Sequence, residues 1–174
     1  WEYKFLSLEE EESTSLELEV DYSFLEEKPS GAMLRIIEPY DCYASSSLSD
    51  SHSCYNLTDG DYTGWKDAGN SCLDETLTFY FDKTYFIEFI VVSNFEKESE
   101  FQEVDKINGF TITYPYSESE EAETTHFLEL DNFEQWFDIN TSVTEMRFEI
   151  FSNYDAPGTV VCGFQEIRFY GKDA

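Results

Sequence analysis

The densest chemistry in this chain lies in Asn56-Leu57-Thr58-Asp59-Gly60-Asp61-Tyr62-Thr63-Gly64-Trp65-Lys66-Asp67. Asp59, Asp61 and Thr63 alternate as oxygen donors about a glycine that permits a tight turn, which is how carboxylates and backbone carbonyls wrap a hard cation such as calcium. The same residues also describe a plain Asp-Gly turn of a β protein, and the closing Glu of an EF-hand loop is missing. Catalytic groups are sparse. The two histidines are His52, in a Ser-rich loop, and His126, at the head of an expected strand, and neither sits in a motif that pairs it with a nucleophile. There is no Gly-rich phosphate loop and no Gly-x-Ser-x-Gly, and carboxylates this numerous carry no information about glycosidase chemistry by being paired. The residues point to binding: no catalytic residue is assigned, and the chain is expected not to be an enzyme.

Charge narrows the partners. Asp and Glu number 38 against 10 Lys and Arg, a formal net charge of −28, so the summed field repels phosphate backbones and anionic lipid headgroups. Nucleic acid and direct membrane insertion are excluded as expectations, and no apolar run reaches membrane-spanning length. Most of the acids read as a solvated surface, with runs such as Glu9 to Glu12 and Glu118 to Glu123 assigned to loops. Cys42, Cys54, Cys72 and Cys162 include no Cys-x-x-Cys pair, and two histidines are too few for a zinc site of usual spacing, so disulfides are expected. Three connectivities are open to four cysteines, and Cys42 and Cys54 flank one short Ser-rich loop. No signal peptide is seen, so the sequence reads as a mature or trimmed product.

The elements that must position these residues are strands. With 41% hydrophobic and 18% aromatic residues the chain is far too apolar for acidic disorder, and its length suits one domain. Period-two alternation dominates, as in Leu16, Leu18, Val20 and Tyr22 with acids between them. Further strands are expected at 33–38, 77–81, 85–92, 109–114, 126–130, 135–139, 144–151 and 164–170. Short alternating strands with no crossover helix predict an all-β fold, an antiparallel two-sheet β-sandwich or jelly roll. Residues 1–37 read as an N-terminal extension of extra strands packed on the same domain, with a disordered acidic leader as the alternative, and 38–174 as the jelly roll.

Several pieces then occur in the order found in galactose-binding-like modules. They are Tyr43 to Leu48, Asn56 to Trp65, Leu77 to Asn94, Phe110 to Ile112 with Gln135 to Phe137, and Arg147 to Tyr154 followed by Val161 to Gly171. Over residues 38–172 the chain resembles the discoidin-like and NADase-type glycan-binding families. The resemblance implies a structural calcium ion held by Asp59, Thr63 and Glu166, with help from Asp61. Asp59 stands six positions before Trp65 rather than the commoner seven, so the implied loop is rearranged or empty. The resemblance also favours Cys42–Cys54 and Cys72–Cys162 as the pairing.

On this scaffold the ligand face is formed by loops at one end, where an aromatic ring stacks on a sugar and polar neighbours read its hydroxyls. Tyr62 and Tyr154 are the aromatics placed there, with Asp67, Asn70 and Asn153 as hydrogen-bonding groups. Trp65 is read either as a core or rim anchor or as a stacking platform, and Trp136 as a packed sheet-face residue. The expected function is a non-catalytic carbohydrate-binding module, extracellular, at the cell surface or periplasmic, that prefers a neutral glycan. The alternatives are a protein-interaction or adhesion domain, or a structural appendage of a larger surface protein.

Overall fold

Alternation becomes nine strands among the described residues, which in this computed structural model are 33–61, 63–68, 73–94, 105–117, 120–129, 134–154 and 161–174. The strands expected within residues 1–32, the alternative acidic leader, and the run Glu9 to Glu12 lie outside them. The strands are β1 (Arg35–Ile37), β2 (Asp41–Ala44), β3 (Trp65–Lys66), β4 (Thr76–Ser93), β5 (Asp105–Ser117), β6 (Glu120–Phe127), β7 (Gln135–Asn153), β8 (Cys162–Phe164) and β9 (Glu166–Asp173). Helix among the described residues is confined to two single-turn 3₁₀ segments, Asp50–His52 and Cys54–Leu57. None is long and apolar enough to cross a membrane.

Hydrogen bonds order the strands β1-β9-β4-β7-β5-β8-β3, with β2 on a second stretch of β4 and β6 on β5. The all-β jelly roll expected from the sequence is observed, with one correction. The two layers are continuous through β5, and β5 runs parallel to β8, pairing Asp105 with Cys162 and Lys106 with Gly163. Strand β1 pairs antiparallel with β9, so residues assigned to the extension form an edge of the unit that spans Ala32–Ala174.

Four expected strands merge into two. Residues 77–81 and 85–92 lie in the 18-residue β4, and 135–139 and 144–151 in the 19-residue β7. The polar residues between them are bulges: the β4–β7 register shifts between Tyr80 and Tyr85, and Asn140 takes φ of +52°. A bulge bends a strand while pairing continues on both sides of it. The Glu118 to Glu123 run, read as a loop, enters β6 at Glu120.

Inward residues of this curled sheet enclose one core. Phe110 on β5 is its hub, with Phe148 stacked at 5.6 Å and Phe137 and Phe164 edge-on at 5.6 and 5.8 Å. Phe79 and Phe169, fully buried and 5.1 Å apart, continue the cluster toward β9. Each such phenylalanine contributes about 1.5–3 kcal/mol by leaving water. The expected Cys42–Cys54 disulfide is present. Cys162 is also disulfide-bonded, and its expected partner Cys72 lies outside the described residues.

Candidate ligand-binding end and cation loop

The loop end is built on Trp65. Gly64 takes φ of +69°, and a Cβ there would meet the Phe164 carbonyl oxygen at 2.5 Å, so only glycine lets β3 run this close to β8. Trp65 follows with 0% exposure, its Nε1–H donating to the Ser46 carbonyl at 2.8 Å. The Leu48 N–H reaches the Lys66 carbonyl at 2.8 Å, and the Ala68 N–H reaches Ser46 Oγ at 3.1 Å. The indole is thus a post that fixes the Ser45 to Leu48 turn, which answers the choice left open for Trp65 in favour of an anchor. Asp67 is corrected in the same way. It is also fully buried, its Oδ1 accepts the Cys162 N–H at 2.7 Å, and its own N–H donates to the Cys162 carbonyl at 2.9 Å. A carboxylate at 0% exposure that closes β3 on β8 is not presented to a ligand in solvent.

Asn153 and Tyr154 reach the same end from β7. Asn153 pairs with Ile107, the Tyr154 N–H donates to the Lys106 carbonyl at 2.9 Å, and the Tyr154 hydroxyl donates to the Leu128 carbonyl at 2.7 Å. The phenol is half-buried and held at both ends, so what it offers outward is ring surface, not its hydroxyl. Two residues that the sequence reading passed over meet here. Lys66 and Lys106 are the register partners of Gly163 on its two sides. Forty residues separate them in sequence, and only the parallel β5–β8 pairing, which no motif announces, brings them together. Tyr62 and Asn70 lie outside the described residues.

The candidate cation loop is tied by its own side chains. Asp59 Oδ1 accepts the Asp61 N–H at 2.9 Å, and Asp61 Oδ1 accepts the Thr63 N–H at 3.1 Å and its hydroxyl at 2.5 Å. Gly60, with φ of +75°, makes the turn between the two acids. These bonds lace the loop from within. Glu166, 7% exposed and paired with Ser93 of β4, has Oε1 at 3.4 Å from Arg168 Nε, so a guanidinium already faces it. Gly64 packs against Phe164 and Gln165 and so brings the loop near this strand, yet no three His, Cys, Asp or Glu side chains converge on a metal position among the described residues. Asp59, Asp61 and Thr63 are thus bonded within one loop, and Glu166 faces Arg168 of its own strand, β9.

The two histidines sit in different surroundings. The His126 ring stacks on Phe110 at 5.6 Å and meets Phe137 edge-on at 5.0 Å, and burial pushes its pKa down, which favours a neutral ring. His52 Nδ1 lies 3.0 Å from Ser49 Oγ and 3.2 Å from Ser51 Oγ, contacts made within a single exposed turn. A cleft of about 470 Å³, lined by Arg35, Glu38, Tyr40, Asp82 and Tyr85 among others, lies where β1 leaves β9. Beside it Arg35 and Lys83 share Asp173 Oδ1 at 2.8 and 3.0 Å, and Lys83 first, then Arg35, holds that carboxyl below its ordinary range. This ion-pair cluster joins residues as much as 138 positions apart, which no local reading finds.

The fold and its loop end define a class of architecture, the all-β jelly roll. Comparison with known proteins agrees at the level of fold. No family model matches the chain, and no curated protein matches it in sequence. Among solved structures, the family 32 carbohydrate-binding module of Clostridium perfringens NanJ, solved with galactose, superposes with a TM-score of 0.65 at 14% identity, covering 79% of this chain and 99% of that one. A third family 32 module from a family 31 glycoside hydrolase of Clostridium perfringens gives 0.62 at 21% identity, over 80% and 91% of the two chains. An F5/8 type C domain from Bacteroides fragilis gives 0.59 at 16% identity, over 83% and 100%.

Proposed function

We propose that the chain is a non-catalytic glycan-binding module of an extracellular, cell-surface or periplasmic protein, and that its loop end carries the site. The observation that carries this reading is Tyr154: a loop-end aromatic whose hydroxyl and backbone N–H are both tied down, on the scaffold shared with carbohydrate-binding modules. A ring fixed in advance loses little conformational freedom when a sugar stacks on it. Asn153 supplies adjacent hydrogen-bonding capacity, and Tyr62 and Asn70 join it on the strength of the resemblance alone. The ligand is a neutral glycan. Lys66 and Lys106 add two positive charges near the site, but a net charge of −28 sets a field that opposes sialate or sulfate groups.

A glycan array followed by calorimetric titration tests the reading. Neutral oligosaccharides are expected to bind with dissociation constants on the order of 10 μM to 1 mM, useful in vivo through repeated copies. Tyr154→Ala is expected to weaken binding about tenfold, the loss of one well-placed aromatic contact, while Tyr154→Phe retains most of it. Preference for acidic sugars, or full binding by the folded Tyr154→Ala protein, rejects the assignment.

A further inference from the structure

The outer face of the sheet, opposite the core, carries rings where an alternating strand ordinarily presents polar groups. Across three neighbouring strands, Arg168 of β9 and Trp136 of β7 are register partners of Val91 on β4, and in the next row Tyr170 and Asp138 are register partners of Phe89. Trp136 leans diagonally over this grid. Its ring lies 5.8 Å from Tyr170 with planes 24° apart and 4.9 Å from Phe89, and Phe89 stacks on Tyr170 at 4.8 Å. Val91 beneath is 1% exposed, yet Trp136 itself is 59% exposed. The rings are thus ordered by one another while the indole faces water.

Polar groups border this island. Arg168 is ion-paired with Glu134, the residue two before Trp136, and its Nη1 lies 3.5 Å from the Tyr170 hydroxyl. A planar donor, a carboxylate acceptor and an exposed indole side by side are complementary to a pyranose, which has an apolar face and a rim of hydroxyls. Size and charge argue against a protein partner. A specific protein interface needs about 800 Å² from each side, whereas one whole aromatic side chain offers about 150–250 Å², and two of these three rings are already part-covered. Asp138 is the register partner of Phe89 and Glu134 pairs with Arg168, and −28 on each copy repels a second copy of the chain. A purely apolar small molecule needs a concave site, and this one is a ledge.

We propose that Trp136, Tyr170, Arg168 and Glu134 form a second saccharide-binding site on the sheet face, separate from the loop end and selective for neutral pyranosides. It rests on the reading of the chain as a glycan binder, and it adds a second valency within one domain. One face ring and one loop ring would hold two points of a branched or repeating glycan.

The test follows the indole N–H resonance of Trp136 in the full chain, identified by its absence in Trp136→Phe. Neutral galactose-, glucose- and mannose-based oligosaccharides, up to hexamers, are titrated in. The expected result is a saturable shift of that resonance that survives Tyr154→Ala, and the calorimetric affinity of the Tyr154→Ala protein falls about tenfold or more when Trp136→Ala is added, in a variant whose circular dichroism shows it folded. Shifts confined to the loop end and abolished by Tyr154→Ala would overturn the face site and leave the glycan reading standing. No shift anywhere with any saccharide overturns both. A Trp136 shift that tracks protein concentration without saccharide identifies self-association and overturns the proposal as well.

Discussion

Asp67 accepts the Cys162 N–H through Oδ1, and its own backbone N–H donates to the Cys162 carbonyl, so one residue closes β3 on β8 at the loop end. Removing one partner of a buried hydrogen bond leaves the other unpaired and costs about 1–3 kcal/mol. Asp67→Ala is therefore expected to lower unfolding free energy by about that amount, while Asp67→Asn, which keeps an acceptor, loses less. Urea unfolding of the two variants decides it, and equal losses would show that the acceptor is not what matters. At this scale the sequence was informative about position and poor on burial. Trp65, Asp67 and Tyr154 were all assigned to one end, and the β3–β8 and β5–β8 pairings join the strands that carry or border them. That Asp67 faces inward was not legible, because an Asp just after a short strand reads as solvated until its partner, 95 positions away, is known. Trp136 was read as a packed sheet-face residue; its ring does meet Phe89 and Tyr170, yet it is 59% exposed.

At the scale of elements, the short covalent loop is the simplest to weigh. The Cys42–Cys54 bridge closes a sequence separation of 12, between β2 and the 3₁₀ segment that ends at Leu57. Restricting a loop of that size in the unfolded chain is worth about 3 kcal/mol. The Cys42→Ser, Cys54→Ser double variant is expected to lose about that much stability while keeping its circular dichroism, with melting and urea curves as the measure. No loss would mean that the unfolded chain is already restricted there. Strand identity was readable wherever large apolar residues alternate, and failed in two informative ways. In β6 the half-buried positions are Ala122, Thr124 and His126 against exposed Glu121, Glu123 and Thr125, so the alternation is real but written in small and polar residues. In β4 and β7 the polar interruptions at Asp82 to Thr84 and at Asn140 to Ser142 look like turns, because a bulge and a turn use the same residues. Among the described residues between β5 and β8 there is no helical crossover of the kind that usually signals parallel pairing, so nothing local foretold it.

For the whole molecule the governing quantity is the imbalance of 38 acids against 10 bases. Among the described residues Arg35, Lys83, Arg147 and Arg168 sit in ion pairs, and all except Arg168 are largely exposed on both sides of the pair. Exposed pairs are worth about 0–1 kcal/mol each, so screening them costs little. Repulsion among the surplus carboxylates acts over distances set by the Debye length, which falls from about 30 Å at 0.01 M salt to about 3 Å at 1 M. The unfolded chain separates these charges further than the folded domain does, so added salt relieves the folded state more. Thermal melting at pH 7 is therefore expected to rise steadily with sodium chloride across that range, and to rise to the same extent with potassium chloride, because the effect is screening and not occupation of a site. Neutralising acids by lowering the pH adds an opposing contribution from His126. Burial holds its folded pKa below the ordinary value, so the stability it contributes is present above about pH 6.5 and is lost as the pH falls through the folded pKa. Salt at fixed pH avoids that contribution. A melting temperature that falls with salt would show that the few ion pairs outweigh the surplus charge, and would remove the basis for expecting this surface to reject acidic ligands.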